Sequence, residues 1–206
     1  MKRWIILLLL VPCMSFAEPF VAGKDYEQLS AQPTEQKQDK KVPVMEFFSY
    51  GCPWCYRIDA TLTNWVKQQG NAIEFSRVPV VFNKDWQFYA KAFYTAELLG
   101  LSPNVNTLLF KEVQEKKNPL TSNEAMISFF TAQGVEEATA KSAFEHSTTV
   151  DMHIKKGTEL MAQYQISGVP AVIVNQQYKT DLRMAQSEER MIKILDFLVL
   201  KAKATS

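Results

Sequence analysis

Cysteine is scarce in this chain, with three in 206 residues, and histidine scarcer, with two. So few cysteines exclude a disulfide-framed scaffold. The two histidines, His146 and His153, are seven residues apart, which does not suit zinc-ligand spacing, so no metal is expected. A surplus of one charge sign is also missing: 23 Lys and Arg face 22 Asp and Glu. That balance gives no argument for binding nucleic acid or an anionic membrane. Internal repeats and low-complexity tracts are absent. Nowhere is there the run of roughly 18 apolar residues that a membrane-spanning helix needs.

A shorter apolar run opens the chain. Lys2 and Arg3 form a basic head, Trp4 to Val11 is apolar, and Ser15-Phe16-Ala17 is a small-x-small site before Glu18. This pattern predicts a secretory signal peptide over 1–17, cleaved after Ala17. Pro12 stands where a lipoprotein signal needs a small residue before Cys13, which argues against lipidation. Cleavage removes Cys13 and two basic residues, leaving a slightly acidic chain whose cysteines are Cys52 and Cys55. Export places them where disulfides persist. A C-x-x-C loop is too short to be a useful entropic staple, so a redox-active pair is the better reading.

The surrounding pattern supports that reading. Val42 to Tyr50 predicts a buried strand, with Pro43 near its start. A helix follows from Cys52, with Pro53 in its first turn and Cys55, Ile58, Leu62, Trp65 and Val66 on its inner face. Cys52 is then expected to be exposed at the helix start, where unpaired N–H groups and the helix dipole favour a thiolate. Ile73 to Phe82 predicts a second strand ending near Pro79. Phe20 to Tyr26 reads as a short edge strand with a turn, and Ser30 to Lys41 as a solvated loop. Helices are expected over Trp86–Leu99, Asn104–Lys117, Thr121–Gln133, Glu136–Glu145 and Thr149–Tyr164, the last weakened by Gly157. Ala171 to Val174 and Tyr178-Lys179 predict strands, and Ser187 to Lys201 a closing helix. The aromatics Phe82, Trp86, Phe88, Tyr89, Phe93 and Tyr94 have core spacing, with Phe82 and Trp86 the candidates for exposure. The methionines are read as core.

Phe47-Phe48-Ser49-Tyr50-Gly51-Cys52-Pro53-Trp54-Cys55-Tyr56 resembles the active-site segment of the DsbA family of periplasmic thiol:disulfide oxidoreductases. Gly168-Val169-Pro170-Ala171, followed by Val174-Asn175, resembles its cis-proline loop. The resemblance covers nearly all of the chain after the signal. It implies an α/β, thioredoxin-like fold over 18–82 and 165–206, with an inserted α-helical domain over 83–164. It implies that Cys52 exchanges with substrate, that Cys55 is the buried resolving thiol, and that Pro170 faces them with Val169 pairing to substrate. Glu46 matches an acid implicated in proton transfer, Asp59 a second acidic position and Arg77 a basic partner. Pro53 and Trp54 are the tuning residues. Best-known members carry His where Trp54 stands. An indole offers a single N–H, so Cys52 is expected to be less acidic, and the protein less oxidising, than in the Pro-His form. Figures of about 3.5 for the thiol pKa and about −120 mV for the pair belong to that family, not to this sequence.

The implied activity is oxidation of reduced or unfolded exported proteins by a monomer in the periplasm. A DsbB-like, quinone-linked membrane oxidase would restore the disulfide, with no cofactor beyond the cysteine pair. Two alternatives stand. One is an isomerase or reductase on the same scaffold, which usually carries an N-terminal dimerisation domain, whereas only Glu18 to Lys41 precedes the core strand. The other is a non-enzymatic, chaperone-like binding module.

Overall fold

The computed structural model describes residues 20–29, 41–102 and 104–204. The signal peptide, Cys13 and nearly all of the loop predicted over 30–41 lie outside them. Strands β1 (Glu27–Gln28), β2 (Val42–Phe48), β3 (Ile73–Pro79), β4 (Ala171–Val174) and β5 (Tyr178–Asp181) form one sheet in the order β1-β5-β4-β2-β3. The β2–β3 pair is parallel and the other pairs are antiparallel. The edge strand expected over Phe20–Tyr26 falls instead at Glu27–Gln28, because it is Glu27 and Gln28 that find β5 partners, Lys179 and Tyr178.

Alternation decides which side chain meets which layer. Val42 and Val44 of β2 and Val172 and Val174 of β4 are buried with Ile58, Leu62 and Trp65 of helix α1 (Pro53–Gln69). Met191, Ile194, Leu195 and Leu198 of α8 (Glu188–Ala204) complete that layer. Phe47, Val78, Ala171 and Ile173 point to the opposite face, where Tyr164 and Ile166 cover them.

Between β3 and β4 the chain is helical: α2 (Lys84–Leu98), α3 (Asn104–Phe110), α4 (Asn123–Ala132), α5 (Glu137–Glu145) and α6 (Thr148–Gln163). Phe93, Phe110, Phe130, Phe144 and Met126 are buried there. Asn83, Ser122 and Ser147 cap α2, α4 and α6 by accepting backbone N–H groups. Gly157 sits inside α6 for a packing reason. A Cβ would lie 3.2 Å from Val78 Cγ1 and 3.3 Å from the Tyr94 hydroxyl, so its absence lets α6 approach the sheet. The helix expected over Asn104–Lys117 does not stay α-helical. It passes into a π turn at Lys111–Glu115, where the Lys116 N–H reaches back to the Lys111 carbonyl at 3.0 Å. A short helix missing from the sequence reading, α7 (Leu182–Ala185), is capped by Asp181. Met126 and Met191 are core, but Met152 is exposed on α6, on the side turned from buried Val150 and Gly157.

Candidate active site

The C-terminal end of β2 delivers Ser49, Tyr50 and Gly51 to the start of α1. Cys52 is the N-cap of that helix, in extended conformation, and Pro53 occupies the first helical position, where its missing N–H removes nothing. The Cys52 N–H donates to the Ser49 carbonyl at 3.0 Å. The Cys55 N–H donates to Cys52 Sγ at 3.2 Å. The first turn carries no acid that would oppose a thiolate.

Both cysteines are free thiols here. Cys52 is only 5% exposed, against the expectation of an exposed thiol. The reason is the Val169-Pro170 loop, which lies across it. The Cys52 thiol donates to the Val169 carbonyl at 3.4 Å, and the Val169–Pro170 peptide is cis, as the resemblance implied. Cys55 is fully buried among Phe48, Tyr50 and the aromatics of α2.

Only Pro53 and Trp54 separate the thiols in sequence, yet their environments push their acidities apart. Interaction with Cys55, together with the backbone N–H groups of Cys55 and Trp54, brings Cys52 down to about 7 in spite of its burial. Burial first, then the hydrogen bond and repulsion from Cys52, push the Cys55 thiol far above the ordinary thiol range. Glu46 acts on both, its charge opposing either thiolate.

Glu46 interrupts the apolar face of β2 between Val44 and Phe48 and is 1% exposed. Burial raises its pKa, and Arg77 opposes that rise. Arg77 stands opposite it on β3 and donates to Glu46 Oε2 at 2.7 Å and to Asp59 Oδ1 of α1 at 2.7 Å. The two acids hold Arg77 charged against its own burial. Glu46, Asp59 and Arg77 therefore form one network under the sheet end that carries the cysteines.

Trp54 is 55% exposed on the rim. The Arg57 guanidinium lies 4.7 Å over its ring and pairs with Glu188 at 2.9 Å. These residues line a cleft of about 470 Å³ with Gly168, Val169 and Pro170. Phe82 is 42% exposed and meets half-buried Trp86 at 5.5 Å, while Tyr89, Phe93 and Tyr94 are core. The histidines lie in the helical segment, His146 closing α5 and His153 stacked on Tyr94 at 5.1 Å. Among the described residues, no three His, Cys, Asp or Glu side chains cluster as ligands.

Sequence reasoning missed two contacts from the π turn. Gln114 Nε2 donates to the Tyr50 carbonyl at 2.7 Å, and the Tyr56 hydroxyl donates to the Glu115 carboxylate. For Tyr56 the signal was its polar tip, which needs a partner when the ring packs; the bond from Gln114 to the Tyr50 backbone carbonyl had no such signal.

A family model described as the DSBA-like thioredoxin domain matches residues 43–196. The thiol:disulfide interchange protein DsbA of Burkholderia cepacia is 38% identical over 178 residues, covering 86% of this chain and 84% of that protein. DsbA of Pseudomonas syringae is 32% identical over 213 residues, 100% of this chain and 98% of that one. The crystal structure of Pseudomonas aeruginosa DsbA superposes with a TM-score of 0.83 at 30% identity, covering 92% of this chain and 97% of that one. The chain belongs to the DsbA family of thiol:disulfide interchange proteins, thioredoxin-fold oxidoreductases that form protein disulfides.

Proposed function

We propose that this chain is an exported dithiol oxidase in which Cys52 is the reacting sulfur and Cys55 its resolving partner. In the oxidised form a substrate thiolate attacks Cys52 Sγ. The Cys52–Cys55 bond breaks, its electron pair goes to Cys55, and Cys55 takes up a proton at once because its thiolate is so disfavoured where it is buried. The raised Glu46 carboxyl is the nearby proton reservoir, held by Arg77, with Asp59 sharing that cation. A second substrate thiolate then attacks the substrate sulfur of the mixed disulfide and Cys52 leaves as thiolate. The substrate has lost two electrons and two protons, and the pair has gained the electrons. A DsbB-like, quinone-linked membrane oxidase takes them on, so the cysteine pair itself is the cofactor.

The observation that carries this reading is the geometry of the pair: Cys52 caps α1 with the Cys55 N–H on its sulfur at 3.2 Å, the cis Val169–Pro170 peptide lies beside it, and Cys55 is fully buried. Val169 offers backbone to an extended substrate at Cys52, Pro170 shapes the loop, and Pro53 and Trp54 tune the thiol. The parts before residue 83 and after 164 form the thioredoxin-like unit and 83–164 an inserted helical unit. The signal ends at Ala17, and the mature protein works in the periplasm as a monomer.

One observation favours the reductase or isomerase alternative: a thiol near 7 matches thioredoxin-type nucleophiles more closely than the strongest oxidants. Oxidation of a reduced, unfolded protein, run beside rescue of a scrambled one and reduction of insulin, separates the readings. Fast oxidation with weak rescue is expected. Cys52→Ser is expected to abolish exchange, and Cys55→Ser to accumulate a mixed disulfide with substrate. Full function in the Cys52→Ser, Cys55→Ser double variant would instead indicate a binding module.

A further inference from the structure

The segment Ser49–Cys52 is a four-residue turn closed by the Cys52 N–H on the Ser49 carbonyl. The Gly51 N–H donates to Ser49 Oγ at 3.1 Å. The carbonyl of the middle peptide, Tyr50–Gly51, points out of the turn and accepts from Gln114 Nε2 at 2.7 Å. A turn of this kind closes in two forms that differ by a flip of that middle peptide. The flipped form needs φ > 0 at the third residue, where glycine is favoured. The third residue here is Gly51, and its φ is outside the positive region. Gly51 cannot be traded for a residue that would forbid the flip. A Cβ would run into the Trp86 indole and lie 2.8 Å from the Tyr89 ring. The turn that delivers Cys52 therefore contains a residue free to adopt either form.

The bond that holds one form comes from an irregular place. Gln114 and Glu115 belong to the π turn after α3, and π turns inside helices concentrate at functional sites. Phe110, one residue before that turn, packs on Tyr50 at 4.9 Å and on Tyr56 at 5.9 Å, one on each side of the cysteines. Glu115 accepts the Tyr56 hydroxyl. The end of α3 thus grips both sides of the motif, and Gln114 is the side chain that bonds its backbone.

We propose that Gln114 is a positioning residue, whose hydrogen bond holds the Tyr50–Gly51 peptide in one of its two orientations and thereby sets the Cys52 sulfur against the Cys55 N–H. The proposal rests on the reading of Cys52 as the reacting sulfur. Losing the bond removes order from the donors that stabilise the thiolate, so it disfavours the reduced form and weakens the oxidant.

The test is equilibration of the purified protein with a glutathione redox buffer. Gln114→Met keeps the reach and removes the donor. It is expected to shift the equilibrium toward the disulfide by about fivefold, the net worth of one hydrogen bond. Gln114→Lys keeps a donor and adds a cation that also favours the thiolate, so it is expected to show no shift toward the disulfide. If Gln114→Met does not fold, Gln114→Ala replaces it with the same expectation. An unshifted equilibrium in the donor-less variant overturns the proposal, as does an equal shift in both variants, which marks loss of packing alone. Alkylation of reduced wild type at neutral pH keeps the two failures distinguishable. If Cys52 is not the thiol modified first, the reading of Cys52 fails and the proposal falls with it. If it is, an unshifted Gln114→Met sinks the positioning role alone.

Discussion

The loop that presents Cys52 has two flanks, and they are built differently. Toward α3 it is fastened: the Tyr50 carbonyl, the Tyr50 hydroxyl and the Tyr56 hydroxyl are bonded to Gln114, Asn106 and Glu115, with Phe110 packed between the rings. Toward Pro170 it opens on the 470 Å³ cleft, and its polar contacts there are a weak one from the thiol to the Val169 carbonyl and the exposed Arg57–Glu188 pair beside Trp54. The fastened flank holds the loop still, so the α1 backbone N–H groups at the sulfur are in place at no reorganisation cost when charge develops. The open flank leaves room for a second chain. A disulfide exchanger needs both, because the sulfur must be held while the partner it meets changes from one substrate to the next.

Three substitutions break or sharpen that contrast. The largest effect is expected beneath both flanks. Arg77→Met leaves Glu46 buried without its cation and should cost about 3–5 kcal/mol in denaturant unfolding. The pH dependence has a definite sign. Because burial raises Glu46, its share of stability is complete below 4.5 and lost as pH rises through its folded value. Removing Arg77 should deepen that loss, and a variant as stable as wild type at neutral pH would contradict the network. Next comes the fastened flank. Gly51→Ala forces a methyl into Trp86 and Tyr89 and should cost about 1–3 kcal/mol, with slower substrate oxidation. The same melting temperature and rate as wild type would show that the flank yields easily. Smallest is the open flank. Trp54→His replaces the rim indole with a ring that carries two nitrogens and should make the pair more oxidising by about tenfold in equilibrium, roughly 30 mV. An unchanged or lower potential would remove Trp54 as the tuning residue.

The open flank was legible in the sequence and the fastened one was not. Cys52, Trp54, Val169 and Pro170 lie in two contiguous motifs, and Glu46 announced itself as an acid inside an apolar strand. Arg77 and Asp59 were matched to Glu46 only through the family resemblance. The parallel register that sets Arg77 opposite Glu46 is what makes them physical partners. Gln114 and Glu115 sit in a polar run, Gln114 to Lys117, that reads as the solvated end of a helix. A π turn has no simple periodicity signal, so the change of face that brings Gln114 to Tyr50 could not be read from residue spacing. Gly157 misled in the other direction. Its low helix propensity argued against a helix whose packing on Val78 and Tyr94 requires it. The covering of Cys52 was missed because the Val169 backbone was expected to pair with a substrate chain, whereas here its carbonyl accepts from the Cys52 thiol itself.

The central claim is that one loop splits two neighbouring thiols into a reactive and a suppressed one. Ultraviolet titration of the reduced protein, repeated with Cys52→Ser and Cys55→Ser, tests it most directly. The account predicts one thiolate appearing near pH 7 in wild type and in Cys55→Ser, and none below the ordinary thiol value of 9.0 in Cys52→Ser. The advantage this gives the reduced form is complete above 9.0 and lost as pH falls through 7. Two thiolates rising together near 9.0 would contradict it.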